Sequence, residues 1–150
     1  MGCMNILEAL RISHVTQRAL VDWLVQTQGD TLERRAIFSS LKRELAAHAA
    51  AEERYFYLPL SACGQLQQLS PEGIAEHHQM DQLMEALELA DPRSPAWRLG
   101  AQALHDKVHQ HLEVEERSWF ALAGTALGAA DLVSLALQYE SEFVLQRVKA

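Results

Sequence analysis

The sequence is poor in the residues that build sheets, turns and crosslinks. Val, Ile and Thr together number 16, Gly and Pro together 11, and aromatic residues make up 7% of the 150-residue chain. Strands favour β-branched and aromatic side chains, so this scarcity argues against a β-sandwich or barrel. Only two cysteines are present, Cys3 and Cys63, far apart and in no Cys-x-x-Cys pair. They read as reduced thiols rather than as a redox pair. Cations are also short: 13 Lys and Arg stand against 20 Asp and Glu, for a net charge of −7, and no Lys/Arg stripe occurs. Sequence-general nucleic-acid binding needs such cations and is not expected. No apolar run approaches the roughly 18 residues of a membrane helix. The segment Met1 to Leu10 has no cationic stretch followed by an apolar block, and Ile6 breaks the myristoylation pattern that the opening Met-Gly begins. A cytoplasmic protein without a membrane partner is expected.

What the chain has in plenty is Ala and Leu, 45 residues in all, which favour helix. With 49% hydrophobic and 22% charged residues it has the composition of a folded domain. At this length a single domain spanning residues 1–150 is expected, with no linker or low-complexity segment. Seven histidines in a small acidic protein are the remaining oddity.

Helical periodicity predicts four long helices and a fifth. The first runs from about Asn5 to Gln28, with Leu7, Leu10, His14, Val21 and Leu24 on one stripe and Gly29 as its stop. Asp30, with Glu33 three residues on, is expected to cap the second, which carries Ile37, Leu41, Leu45, His48, Glu52 and Tyr55 on one face and should kink or end at Pro59. Ser70-Pro71 is expected to start the third, which presents Ile74, His77, Met80, Met84 and Leu87 and ends near Ala90. Ser94-Pro95 starts the fourth, with Leu104, Val108, His111, Glu115 and Trp119 in register as far as about Leu122. Asp131 is expected to cap the last helix, about residues 131–149, whose apolar side includes Leu132, Leu135, Phe143 and Val144. Long helices on short loops pack best as an antiparallel up-down-up-down bundle, here over about residues 5–122.

The second and fourth helices share the pattern His-x-x-x-Glu-Glu-Arg followed by aromatics, at His48 to Phe56 and His111 to Phe120. Residues four apart share a helix face, so each His/Glu pair offers one centre an imidazole nitrogen and a carboxylate. With 14 Glu and seven His, simple counting gives this spacing about 0.65 times by chance, and three instances occur. Two lie on core stripes, His48/Glu52 and His111/Glu115. The third, His109/Glu113, sits about 160° from the His111 stripe and is assigned to solvent. A carboxylate on a core stripe is costly unless it is paired or bound to metal. His14 and His77 interrupt the apolar stripes of the other two helices, so four imidazoles and two carboxylates can converge inside the bundle. Nitrogen and oxygen ligands without thiolate suit Fe, Mn or Zn. Glu53 and Glu116 are expected behind the ligands, paired with Arg54 and Arg117. His105 flanks the seam as a further ligand or gating group, and His78 belongs to the surface. Tyr55, Met80, Met84 and Trp119 are core packing that also borders a small apolar pocket. The competing reading is a metal-free interaction bundle with hydrogen-bonded core histidines.

The order His14, His48-x-x-x-Glu52-Glu53, Glu76-His77, His111-x-x-x-Glu115-Glu116 resembles the hemerythrin-like (HHE cation-binding) family over roughly residues 5–122. The resemblance implies a four-helix bundle around a non-haem di-iron centre. His14, His48, His77 and His111 would then be terminal ligands and Glu52 and Glu115 bridges. It also implies small-molecule binding or sensing (oxygen, peroxide or nitric oxide), or iron holding, more than enzymatic turnover. An iron-dependent module read by a partner is the alternative within that resemblance. Oxygen-carrying hemerythrins have His-x-x-x-His in the third helix, where this chain has Asp81 four residues after His77 and Gly73 four before. One iron is thus short of a histidine, and Asp81 or a water is expected to complete it. The last helix lies beyond the family's motifs and is expected to cover one side of the bundle or to form a homodimer contact.

Overall fold

Helices account for nearly all of residues 2–149, the part of the chain described by the computed structural model. Helix α1 spans Ile6–Gln26. Helix α2, Leu32–Glu52, runs without a break through a π-helical turn, Glu53–Tyr57, into the short α3, Leu58–Ser61. Helix α4 spans Leu69–Leu89. Helix α5, Pro95–Val114, continues through a second π-helical turn, Glu115–Trp119, into α6, Phe120–Ala126. Helix α7, Ala129–Lys149, is the last element of the described residues. No strand occurs among the described residues. Helices α1, α2, α4 and α5 form the antiparallel bundle, and α7 lies along α1 and α2 as a fifth rod. No helix is long and apolar enough to cross a membrane among the described residues.

The helix starts follow local chemistry, with three departures from expectation. Asn5 caps α1 by accepting from the Glu8 N–H, and Ser94 caps α5 by accepting from the Trp97 N–H. Thr31, not Asp30, caps α2; its hydroxyl accepts from the Arg34 N–H, and Asp30 binds the Arg35 guanidinium instead. Helix α4 begins one residue before Ser70, which lies inside its first turn and donates its N–H to the Ser61 hydroxyl. Asp131 likewise sits in the first turn of α7, not at its cap. Acidic and hydroxyl side chains favour both the cap and the first turn, because both face the positive end of the helix dipole, so their sequence signal is offset by a residue or two. Pro59 does not stop the second rod at once. It enters the first turn of α3, and the rod ends at Ser61.

The interior divides into two apolar clusters. One gathers Ile6, Leu10, Phe56, Tyr57, Leu60, Trp119, Phe120, Leu135 and Tyr139 around the start of α1 and the first half of α7. The other gathers Val21, Leu24, Leu41, Leu45, Met80, Met84, Trp97, Leu104 and Leu112 toward the opposite end. His14, His48, Glu52, His77, His111 and Glu115 belong to neither and form the polar band between them, each 5% exposed or less. Two expected core residues lie outside: Ile74 is 44% and Val144 61% exposed. Their helices bury narrower stripes than a count of apolar residues suggests.

Candidate metal centre

Each of the four bundle helices delivers one histidine to the same level, and the two π-helical rods add the carboxylates. Two groups of ligand-type atoms converge: His14, His48, Glu52 and Glu115 in one, and Glu52, His77 and His111 in the other. Glu52 belongs to both. Its Oε2 lies 3.2 Å from His48 Nε2 and 3.9 Å from His14 Nε2, and its Oε1 lies 3.1 Å from His77 Nε2. Glu115 straddles the two groups as well, with Oε1 at 3.2 Å from His14 Nε2 and Oε2 at 3.4 Å from His111 Nε2. The structure thus brings together the six residues that the sequence nominates as ligands.

Every histidine is held from behind through its other nitrogen. His14 Nδ1 donates to Glu116, His77 Nδ1 to Glu53 and His111 Nδ1 to Glu76, at 2.8, 2.8 and 2.9 Å. His48 Nδ1 donates to the Tyr139 hydroxyl at 2.8 Å. A carboxylate behind the ring fixes the Nδ1–H tautomer and turns the Nε2 lone pair inward, as at histidine metal sites generally. Glu116 is also gripped by both guanidinium nitrogens of Arg18, and Glu76 by Lys107. Hydrogen bonding to His14 first, then to Arg18, holds Glu116 down at about 2. Hydrogen bonding to His111, then to Lys107, does the same for Glu76. Glu53 and Glu116 thus stand behind His77 and His14, but their cations are not the neighbouring arginines. Arg54 pairs with Glu142 and Arg117 with Glu113, because adjacent residues on a helix point to different faces.

The buried carboxylates and imidazoles of this band shift one another's proton affinities. Burial, then the neighbouring Glu52, pushes Glu115 up to about 7. Burial would raise Glu52 too, but His48, Glu115 and His14 hold it well below the usual carboxylate range. Burial lowers His48 to about 4. For His77, burial is outweighed by Glu52 and Glu53, which hold it up at about 10. His14 is raised the same way, against its burial, by Glu115, Glu116 and Glu52. His14 Nε2, His48 Nε2, both Glu52 oxygens and Glu115 Oε1 are buried without a hydrogen-bond partner. Acceptor atoms converging on one another in a dry interior are expensive unless a cation lies between them. The donor set of four imidazoles and two carboxylates therefore fits metal cations that take nitrogen and oxygen ligands.

Two tyrosines that sequence periodicity passed over complete the surroundings. The Tyr57 hydroxyl donates to Glu115 Oε2 at 2.7 Å and lies 3.3 Å from His77 Nε2 and 3.4 Å from His111 Nε2. Tyr55, the expected lining residue, is only half-buried and borders an outer groove with Leu137 and Leu145. The π-helical turn explains the exchange. Its i→i+5 hydrogen bonding, from the Leu58 N–H to the Glu53 carbonyl, adds a residue to the turn and brings position 57 inward where a 3.6-residue repeat would bring position 55. Gly73 makes room for the ring, since a Cβ there would collide with it. Tyr139 comes from α7, which carries none of the recognised motif. Tyr139→Phe leaves the His48 Nδ1–H without its acceptor. Metal affinity should fall about 10–100-fold with stoichiometry at saturation unchanged; equilibrium dialysis against a competing chelator measures it.

The remaining candidates separate by position. Met80 and Asp81 line a small cleft with Gln17, Leu45, His48, Ala49 and His77, about 10 Å³ in volume. Asp81 is not among the converging ligand atoms; Tyr57 stands beside His77 and His111 instead. Trp119 packs edge-on against Tyr57, ring centroids 5.2 Å apart. Met84, seven residues beyond His77 and thus about 10 Å along the helix, packs in the far apolar cluster and does not line the cleft. His105 is not at the centre; its Nε2 reaches Asp22 on the outer seam of α1 and α5. His78 is exposed.

The hemerythrin HHE cation-binding domain profile matches residues 5–123. A DNA nickase of Nostoc sp. is 26% identical over 141 residues; the match takes in 92% of this chain but 39% of that protein, so the chain spans well under half of the relative's length. A crystal structure of an HHE cation-binding domain-containing protein from Mycobacterium kansasii superposes with a TM-score of 0.85, covering 97% of this chain and 89% of that one at 22% identity. At that identity the likeness concerns the fold.

Proposed function

Because the chain belongs to the hemerythrin HHE cation-binding family, we propose that its polar band holds two iron ions and binds or senses a small ligand such as oxygen, peroxide or nitric oxide. The observation that carries this reading is the sharing of Glu52 between two convergent ligand groups. His14 and His48 would hold one ion and His77 and His111 the other, with Glu52 and Glu115 across both. An iron pair so held supplies redox chemistry toward small oxidants. Tyr57 stands on the side of the second ion, where the expected further histidine is missing, and its phenol offers that side an oxygen ligand or a hydrogen-bond donor.

Ligand size follows from access. The cleft beside His48 and His77 has room for little more than one water. An opening of that size favours diatomic molecules and peroxide over larger substrates. Apolar packing above and below the band keeps bulk water away from both carboxylates. DNA is a poor partner for this chain, whose 20 acidic residues exceed its 13 basic ones.

Metal analysis after expression in iron-supplemented medium, without chelators, tests the reading. Close to two irons per chain are expected, with an absorption spectrum that changes on addition of peroxide or nitric oxide. Less than half a metal per chain would overturn it.

A further inference from the structure

On the outer seam between α1 and α5, three side chains repeat the wiring of the buried centre. His105 and His109 stand one turn apart on α5. Their Nε2 atoms reach the same oxygen, Asp22 Oδ1 on α1, at 2.9 and 2.7 Å. The two rings lie 4.5 Å apart between centroids. Behind His105, Asp106 Oδ1 accepts from Nδ1 at 2.9 Å, and Gln102 holds that carboxylate from the side at 2.9 Å. A carboxylate on Nδ1 fixes the tautomer that presents the Nε2 lone pair to a metal. Here that nitrogen faces Asp22 Oδ1 at hydrogen-bond distance.

We propose that Asp22, His105 and His109 form a third metal site, holding one exchangeable divalent transition-metal ion at the protein surface. Two imidazoles and one carboxylate suit a borderline ion such as zinc and disfavour calcium or magnesium, which take oxygen ligands. With side-chain exposures of 24%, 34% and 50% for His105, His109 and Asp22, the remaining coordination positions face water. A site with three protein ligands and open positions exchanges its ion more readily than a closed four-ligand structural site. The ligands come from two helices, so the ion clamps α1 to α5.

The site shares no ligand with the buried centre. Asp22 lies eight residues beyond His14 on α1, about 12 Å along the helix. Between them Arg18 engages Glu116. Without a metal the same three residues are a hydrogen-bonded cluster, in which burial alone would raise the Asp22 carboxyl and His109 and His105 together hold it below its ordinary value. Metal binding separates the two readings.

The experiment titrates zinc chloride into iron-loaded protein at pH 7.5, by calorimetry followed by elemental analysis. One zinc per chain should bind with the iron retained. His109→Ala and Asp22→Asn should each weaken that binding at least about tenfold, leaving iron content unchanged. His78→Ala, which removes an exposed histidine from α4, should change neither. Zinc uptake that is absent, that persists unchanged in both variants, or that proceeds only by displacing iron would overturn the site. Iron content is read independently, so failure here is distinguishable from failure of the buried iron pair.

Discussion

Replacing Glu52 with alanine should empty both halves of the buried centre in one step. Glu52 is the residue common to the two convergent ligand groups, and it reaches imidazole nitrogens of three helices. Loss of a terminal ligand weakens one ion; loss of the shared carboxylate removes a ligand and a negative charge from each. Iron content of Glu52→Ala should therefore drop to near zero under loading conditions that fill the parent protein. Glu53→Ala provides the contrast. It removes only the acceptor behind His77, and should weaken affinity about 10–100-fold while leaving the site fillable. Elemental analysis of the two variants beside the parent decides it. Two irons retained in Glu52→Ala would show that the carboxylate does not bridge.

Stripping the metal should lower the melting temperature by on the order of 10 °C. A ligand present at about a thousand times its dissociation constant stabilises the folded state by about 4 kcal/mol. Each kcal/mol moves the midpoint of a domain of this size by about 2–4 °C. The difference between loaded and stripped protein should shrink as pH falls from 8 to 5, and two effects of the same sign cause this. Metal binding needs deprotonated ligands, and Glu115 takes up a proton below about 7. In the stripped protein the folded pKa of Glu115 lies above its unfolded value. Its contribution to stability is therefore present in full below about 4.5, the unfolded value, and is lost as pH rises through about 7. His77, held up at about 10, adds to the stripped form in the same direction, over a window that opens above about 6.5, whereas His48, lowered to about 4 by burial, opposes Glu115 below about 6.5. Acid thus weakens the loaded state throughout and favours the stripped one chiefly between pH 8 and about 6.5. Melting curves of both forms at pH 5, 6, 7 and 8 check the prediction; a gap that widens toward pH 5 would contradict it.

The residues that read most clearly from sequence were those whose burial is costly. His48 and Glu52, or His111 and Glu115, interrupt apolar stripes at one-turn spacing, and an ionisable group on such a stripe demands a partner. His14 and His77 read the same way because they break otherwise apolar faces. Residues whose placement depends on local helix geometry did not read. The π-helical turns move Tyr57 inward and Tyr55 outward, and nothing in a 3.6-residue repeat anticipates a five-residue turn. Residues joined only by tertiary packing did not read either. Tyr139 lies 91 positions from His48, and Asp22 lies 83 from His105. Periodicity places His105 beside the seam and His109 toward solvent; their common partner, Asp22, sits on another helix.

The sequence by itself determined an all-helical bundle, through Ala and Leu abundance and apolar periodicity, and nominated the six polar residues that its stripes carry inward. Periodicity reports which face of a helix is buried, because burial acts on each helix along its own length. Only the tertiary structure decided which nitrogen meets which carboxylate, which helices supply the groups behind the histidines, and that one glutamate serves both halves of the centre. Those relations depend on the distance between helices and on how each is rotated against its neighbours, and no single stretch of sequence encodes either.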